Sequence, residues 1–466
     1  MLLSHGGEPS RTDVPVARWT VEQVQALAPD EASRKAGNKL GSSGPWSEVG
    51  HGGGAVWGLC KGSGSKPYRT VVDTSGPAYK CSCPSRKFPC KHALGLLLLR
   101  ASDSTADGAA APPGEAPDWA REWLDGRRRR AAERSATDGA PAAGPADPEA
   151  ARRRAERRAS RITSGAQELE QRLTDLLRGG LAAADQAGYG LWEETAARMV
   201  DAQAPGLAAR VRELGAIPAS GPGWPVRLLE ECALLHLLDT AWLGIDRVPD
   251  PLAATVRTRV GLTAAADGAP VRDHWLVLAQ YDTPDGKIVT RRIWLHGRES
   301  GRTALLLSFG AAGRSPGLAL PVGVTIDAEL TPYPGSGQPR AELGRQFDPP
   351  ATRGTPPAGG PTAAALAAYG HALRGDPWLD SWPVTVRDVI PTPSEGGWQL
   401  ADADGTSALP LAPSALSRPG LWKLVALSGG GAVTVFGECG HCGFDPLTAW
   451  TTGADDDSDG QPVPLI

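Results

Sequence analysis

Lysine, methionine and cysteine are all scarce in this chain of 466 residues, which holds two methionines and seven cysteines. Of the lysines, seven lie before residue 100 and only Lys287 and Lys423 lie beyond it. An odd and sparse cysteine set excludes the disulfide framework of a small secreted domain and leaves thiols for metal or for cores. No stretch reaches the ~18 apolar residues that cross a bilayer. The opening MLLSHGGEPSRTD lacks both the basic start and the apolar run of a secretory signal. These absences predict a soluble, cytoplasmic protein with no membrane partner. A net charge of −4 excludes a globally basic nucleic-acid coat but not a local basic patch. Also missing are GxxxxGK[ST], a GxGxxG between strand and helix, HExxH and GxSxG, which removes the commonest phosphate-loop, dinucleotide, zinc-protease and serine-hydrolase readings.

What is abundant is glycine, 58 residues, and proline, 42, so linkers are expected between two or three folded parts. Residues 1–17 read as a flexible tail. Residues 18–100 read as a small module. Thr20 and Gln23 make a capping box, and Val21, Val24 and Leu27 follow at helical spacing. A second helical stripe runs through Ala32, Ala36 and Leu40. After the glycine-rich bend GHGGGA come three strand-like runs, Ala55 to Cys60, Tyr68 to Asp73 and Ala78 to Cys83, and then the apolar helix leading to Leu99. Residues 101–160 read as a disordered Ala/Pro/Arg-rich linker. Within it PDWAREWL forms one amphipathic turn suited to docking, flanked by Arg127 to Arg130 and Arg152 to Arg154. Residues 161–262 read as helical, with VRLLEECALLHLLDTAWL as a central buried helix. Residues 263–453 are β-rich, with WLVLAQY, KIVTRRIWL, TALLLSF, VGVTIDAEL, VTVRDVI, WKLVAL and AVTVF as strands and one helix over Thr362 to Arg374. Residues 454–466 read as an acidic, disordered tail.

One motif carries chemistry. CSCPSRKFPCKH, residues 81–92, spells C-x-C-x6-C-x-H, and three thiols with one imidazole make a tetrahedral zinc site. Residues two apart on a strand point to one side, so Cys81 and Cys83 can grip one ion together. Cys90 and His92 belong to the turn entering the following helix, with Pro89 fixing the approach and Pro84 stopping the strand. Four protein ligands close the site, which predicts one structural Zn2+ and no metal-activated water. Residues 51–100 carry Lys61, Lys66, Arg69, Lys80, Arg86, Lys87, Lys91 and Arg100 against the single acid Asp73. Of these, Lys80, Arg86, Lys87 and Lys91 are the candidate contacts to a phosphate backbone or a partner. Three thiolates on zinc carry a net negative charge, so the same basic residues have a purely balancing role as their alternative.

These residues resemble the SWIM zinc finger, whose pattern is C-x-C, a variable gap, then C-x-H, with strands before it and a helix after it. The likeness runs from about Ala55 to Arg100 and maps the four family ligands onto Cys81, Cys83, Cys90 and His92. Through AVWGLCKGSGSKPYR and CSCPSRKFPCKHALGLLLL the chain looks like bacterial, especially actinobacterial, proteins with this finger near the N-terminus ahead of a long uncharacterised region. The resemblance implies a DNA-binding or protein-interaction module, associated with a MoxR-type ATPase and a von Willebrand factor A-domain protein.

Weaker constellations read as structural. CGHC at 439–442 copies a disulfide-isomerase tetrapeptide, but Gly443 and Pro446 oppose the helix that chemistry uses, and a turn is expected. Cys232 and His236 share a helix face among leucines and are expected in a core, as are Trp275, Trp294, Trp382, Trp398, Trp422 and Trp450 in the β-rich part. The composite expectation is an α+β multidomain chain with a small N-terminal ββ(β)α zinc finger, a helical middle and a β-rich C-terminal region. It acts as a non-enzymatic adaptor. The rival is an enzyme whose active site lies in the β-rich part, targeted by the finger.

Overall fold

The structure is a computed structural model that describes residues 19–28, 31–62, 64, 66–74, 78–85, 87, 89–102, 111–138, 147–181, 184, 188–262, 264–285, 288–311, 316–335, 337–348, 350, 355–451 and 460–466. The expected tail at 1–17 falls outside these residues, as does Arg86. The chain is α+β: a small strand-and-helix module, a helical middle and two C-terminal sheets.

Helix α1 (Val21–Ala26) starts with the reciprocal cap read from the sequence. The Gln23 amide donates to Thr20 Oγ1 at 3.2 Å and the Thr20 amide donates to Gln23 Oε1 at 2.9 Å. After α2 (Glu31–Asn38) comes an antiparallel meander of four strands, β1 (Trp46–Gly52), β2 (Ala55–Cys60), β3 (Tyr68–Asp73) and β4 (Ala78–Cys81). The sequence predicted three. The missing strand lies in the glycine-rich bend: His51 and Gly52 end β1, and Gly53 and Gly54, with φ of 57° and 77°, form a left-handed two-residue turn that glycine accepts without strain.

Helix α3 (Lys91–Ser102) covers one face of this sheet, burying Leu94 and Leu96 to Leu99 with Val56 and Val72. Its Gly95 lets α3 lie against the end of α2, because a Cβ there would sit 2.5 Å from Leu40 Cβ. Ala319, from the β-rich region, joins the same core.

The 101–160 stretch differs from the disordered linker expected of it. Helix α4 (Asp118–Asp138) packs Ala120 and Leu124, flanked by Trp119 and Trp123, on Ala55, Trp57 and Val71. In β2 these residues alternate with Val56, so α4 covers the sheet face opposite α3. Arg127 anchors it, pairing with Asp73 at 3.1 Å and lying 5.4 Å above the Trp123 ring, while Arg128 donates to the Gly53 carbonyl. The Ala/Pro/Arg composition hides this because only one turn of the helix is strongly apolar. Residues 103–110 and 139–146 lie outside the described set.

Helix α5 (Pro148–Gly179) also begins inside the expected linker, where Asp147 caps it by accepting from the Ala150 amide at 2.9 Å. It joins α6 (Gly188–Asp201), α7 (Pro205–Ala216), α8 (Trp224–Leu243) and α9 (Asp250–Val260) around one apolar core. Helix α8 is the segment expected to be buried all round. Only one side is: Leu228, Cys232, Leu235, Leu238 and Trp242 are interior, whereas Val226, Leu229 and Leu237 are exposed.

The C-terminal part is two antiparallel sheets. One has the order β7-β6-β5-β8-β9, built from β5 (Val271–Asp285), β6 (Ile288–Gly297), β7 (Thr303–Ala311), β8 (Thr325–Pro332) and β9 (Ala341–Gln346). The other has the order β12-β11-β10-β13-β14-β15, built from β10 (Ser381–Ser394), β11 (Gly397–Asp402), β12 (Ala408–Pro410), β13 (Val433–Gly440), β14 (Gly443–Thr451) and β15 (Val463–Pro464). Leu276, Leu278, Trp294 and Leu305 of the first pack on Phe436, Leu447 and Trp450 of the second. Glu438 joins them, accepting from Tyr281, from Trp294 Nε1 at 2.8 Å and from Ser381 Oγ at 2.8 Å.

Helices α10 (Thr362–Leu373), α11 (Pro413–Leu416) and α12 (Gly420–Ser428) accompany the second sheet. Helix α12 corrects the expected strand WKLVAL. Pro419 precedes it, Leu421 and Leu424 are buried at a spacing of three, and Gly429 ends it at a φ of 53°, all marks of a one-faced helix. The end of the chain is a second correction, since β15 pairs with β14 and Leu465 is buried; residues 452–459 lie outside the described set. Among the described residues no helix is long and apolar enough to cross a membrane.

Candidate metal centre

Sheet and helix converge at one end of the small module. Cys81 is the last residue of β4, in register with Thr70 of β3, and the buried Thr70 hydroxyl lies 3.3 Å from Cys81 Sγ. One further rung forms beyond the strand, where the Ser82 amide donates to the Arg69 carbonyl at 3.0 Å and the Arg69 amide to Ser82 Oγ at 2.9 Å. That rung carries the chain to Cys83 before Pro84 ends the pairing. On the other side the Cys90 carbonyl accepts the first helical bond of α3, from Leu94 at 3.0 Å. Cys90 therefore stands just before the helix and His92 within its first turn, where unpaired amides and the positive end of the helix dipole favour thiolate.

The donor atoms of Cys81, Cys83, Cys90 and His92 all lie within 4.8 Å of one another. Cys81 Sγ is 3.7 Å and Cys90 Sγ 4.0 Å from His92 Nδ1. Ligands about 2.0–2.3 Å from a tetrahedral ion stand roughly 3.5–3.8 Å apart, so the four donors need only a small contraction to share one. Among the described residues this is the only grouping of three or more His, Cys, Asp or Glu donors that fits a metal ion.

The thiols already divide protons among themselves. Hydrogen bonds from Cys81 and Cys90 hold the Cys83 thiol well below the usual range, while hydrogen bonding with Cys81 and Cys83, reinforced by burial, pushes Cys90 up. For His92, burial disfavours the charged ring, but hydrogen bonds to Cys81 and Cys83 outweigh it and lift the imidazole to about 9. A bound cation would take the remaining protons from these donors in turn. The Tyr68 ring flanks His92 at 4.9 Å between centroids. Cys60, buried beside the cluster, is pushed up to about 11 by burial and then by Cys81.

Lys80, Lys87 and Lys91 are exposed around this centre, as are Lys61, Lys66 and Arg69. Arg100 is not part of that rim; it is buried. The remaining candidates disperse. Cys232 is in the helical core as expected, but His236 is exposed and its Nδ1 is 2.7 Å from Glu170. His441 and Cys442 form the tight turn between β13 and β14, with Cys439 buried and Cys442 exposed. Trp275, Trp294 and Trp450 are buried, whereas Trp422 is exposed and meets Trp398 edge-on.

Sequence reasoning missed a cleft of about 760 Å³ where the helical region meets both sheets, lined by Arg210, Arg259, Arg340, Asp376, His441 and Cys442 among others. Its residues come from seven separate stretches of chain, and no local pattern marks them. At its base Arg259 and buried Asp376 are locked at 2.6 Å.

Two family models match the chain: the SWIM zinc finger over residues 68–101 and the SWIM-associated four-helix bundle domain over residues 157–260. No curated protein and no solved structure gives a significant match. The first model covers β3, β4, the four donors and α3; the second covers most of α5 and all of α6 to α9. The chain thus carries a SWIM zinc finger together with the SWIM-associated helical domain, and a zinc-type metal site at the finger's ligand positions.

Proposed function

We propose that this protein is a zinc-binding, non-enzymatic adaptor whose finger docks onto nucleic acid or a partner protein while the larger remainder holds other components. The observation that carries the reading is the closed set of four donors, Cys81, Cys83, Cys90 and His92. Four protein ligands leave no coordination position for water or substrate, so the ion is structural and its identity is zinc, the borderline-soft cation suited to three thiolates and an imidazole. Zinc fixes the end of β4 to the start of α3, and with them the surface that carries Lys80, Lys87 and Lys91. Arg86, between the ligand pairs in sequence, belongs to the same contact set. By resemblance, the components held by the remainder are a MoxR-type ATPase and a von Willebrand factor A-domain protein, in the cytoplasm.

The test is binding by the full chain to duplex DNA across a salt series, with wild type and the Arg86→Ala/Lys87→Ala variant at equal zinc content. Weaker binding with an unchanged metal load supports the finger as the contact. Binding that survives the change removes this loop from the interface. Steep salt dependence favours nucleic acid as the ligand; no DNA binding at low salt moves the finger to protein recognition.

A second reading has one observation in its favour: the cleft beside His441 and Cys442 is within the size range of small-molecule sites. It makes the protein an enzyme targeted by its finger. Against it, Arg259 and Asp376 are spent on each other, and His441 Nδ1 faces the Tyr369 hydroxyl at 3.4 Å rather than a carboxylate.

A further inference from the structure

The first fourteen residues of α5 are unlike the rest of it. Ile162 is the first residue of this helix that is fully buried in the helical core, and residues 152–157 are exposed without interruption. This stretch holds Arg152, Arg153, Arg154, Arg157, Arg158 and Arg161 against Glu149 and Glu156. The acids are used locally. Glu149 pairs with Arg153 at 3.1 Å and Glu156 with Arg152 at 3.4 Å. Arg158 turns inward and donates to the Gly261 carbonyl.

Arg154, Arg157 and Arg161 remain. They follow at i, i+3 and i+7, so they stand on one face of the helix, away from both the Glu149/Glu156 side and the buried Ile162 side. Arg157 gives one N–H to the Arg153 carbonyl, and among the described residues none of the three has a carboxylate within ion-pair distance. An unpacked helical segment gains little from tertiary contact, and three like charges on one face oppose it further. Such a row is stabilised when an anionic surface covers it.

We propose that Arg154, Arg157 and Arg161 form a second interaction surface, separate from the finger, that takes the phosphate backbone of a nucleic-acid duplex. Planar guanidinium groups suit phosphate oxygens, which they bind in pairs of N–H bonds. The row is about 10 Å long, a length over which a duplex presents about six phosphate charges. It reads no base sequence. The inference stands on α5 alone and does not depend on what the finger binds.

The experiment measures binding of a 20-base-pair duplex to the full zinc-loaded chain by fluorescence anisotropy across a salt series. Three proteins are compared: wild type, Arg154→Gln/Arg157→Gln/Arg161→Gln, and the same three positions changed to lysine. All substituted side chains are exposed, and circular dichroism verifies the fold. The glutamine variant should bind roughly tenfold or more weakly, with a salt slope smaller by about three, and the lysine variant should keep the wild-type slope. A glutamine variant with wild-type affinity and slope overturns the proposal, as does a full chain that binds no duplex at low salt. Competition by poly-glutamate as strong as by duplex also overturns it and assigns the row to an acidic protein. The Lys80→Ala/Lys87→Ala/Lys91→Ala variant, run in parallel, separates the two surfaces, because it changes duplex binding only if the finger contributes.

Discussion

Cys81 Sγ lies 3.7 Å from His92 Nδ1, which joins the last residue of a strand to the first turn of a helix eleven positions further on. Around that contact Pro84, Ser85 and Lys87 are exposed, and among the described residues of the turn before Cys90 only Pro89 is buried. Metal is therefore expected to hold the two ends together, with a free energy on the order of 10 kcal/mol as in other small zinc modules. Chelation of the full chain should alter the fluorescence of Trp46 and Trp57, which pack on either face of the finger sheet, and should leave the thermal transitions of the helical and β-rich parts in place. Unchanged tryptophan emission on metal removal would contradict this.

The finger sheet is a sandwich filling between α3 and α4, so its stability extends past residue 100. Leu124 is buried against Trp57 and Val71, and Leu124→Ala should destabilise the module by about 2–5 kcal/mol. The check is chemical denaturation followed by Trp57 emission. A fragment ending at residue 100 should be protease-sensitive even with zinc, and one ending at residue 138 resistant.

Gly95 of α3 lies close against Leu40, just beyond the end of α2. A methyl group there meets Leu40 Cβ at 2.5 Å and the Leu40 carbonyl oxygen at 3.1 Å, and backbone cannot step aside as a flexible side chain can. Although alanine is the better helix former by about 1 kcal/mol, Gly95→Ala should lower the melting temperature of the finger. A rise would show that the contact relaxes freely.

Asp239, on α8, is fully buried, and neither carboxylate oxygen has a hydrogen-bond partner among the described residues. Burial, and after it the charge of Glu170, pushes its carboxyl up to about 8. The folded state then holds a proton that the unfolded chain releases near the ordinary carboxyl range, so stability is full at low pH and falls as pH rises from about 4 to 8. Asp239→Asn should remove that dependence, melting higher than wild type at pH 8 and converging with it near pH 4. Parallel melting curves across that range would contradict the assignment.

The four-donor cluster was legible in the sequence because its geometry is local: C-x-C at a strand end and C-x-H at a helix start each fix two donors through backbone conformation alone. The reciprocal cap of α1 was legible for the same reason. What failed to show was decided at long range. Strand β1 looks like a loop because its glycines serve a two-residue turn, and α4 looks like linker because its apolar turn is meaningful only beside Ala55 and Trp57. In WKLVAL the apolar residues fit a period of two or of three, and burial of Leu421 with Leu424 settles it as helix. The cleft beside Asp376 and His441 draws on seven stretches of chain and has no linear signature.

The most direct measurement is the metal content of the purified full chain by mass spectrometry, for wild type and for Cys83→Ser/Cys90→Ser. One zinc per wild-type chain and none in the variant is the predicted result. A folded wild-type chain without metal, or a variant that keeps its zinc, would contradict a structural centre at Cys81, Cys83, Cys90 and His92.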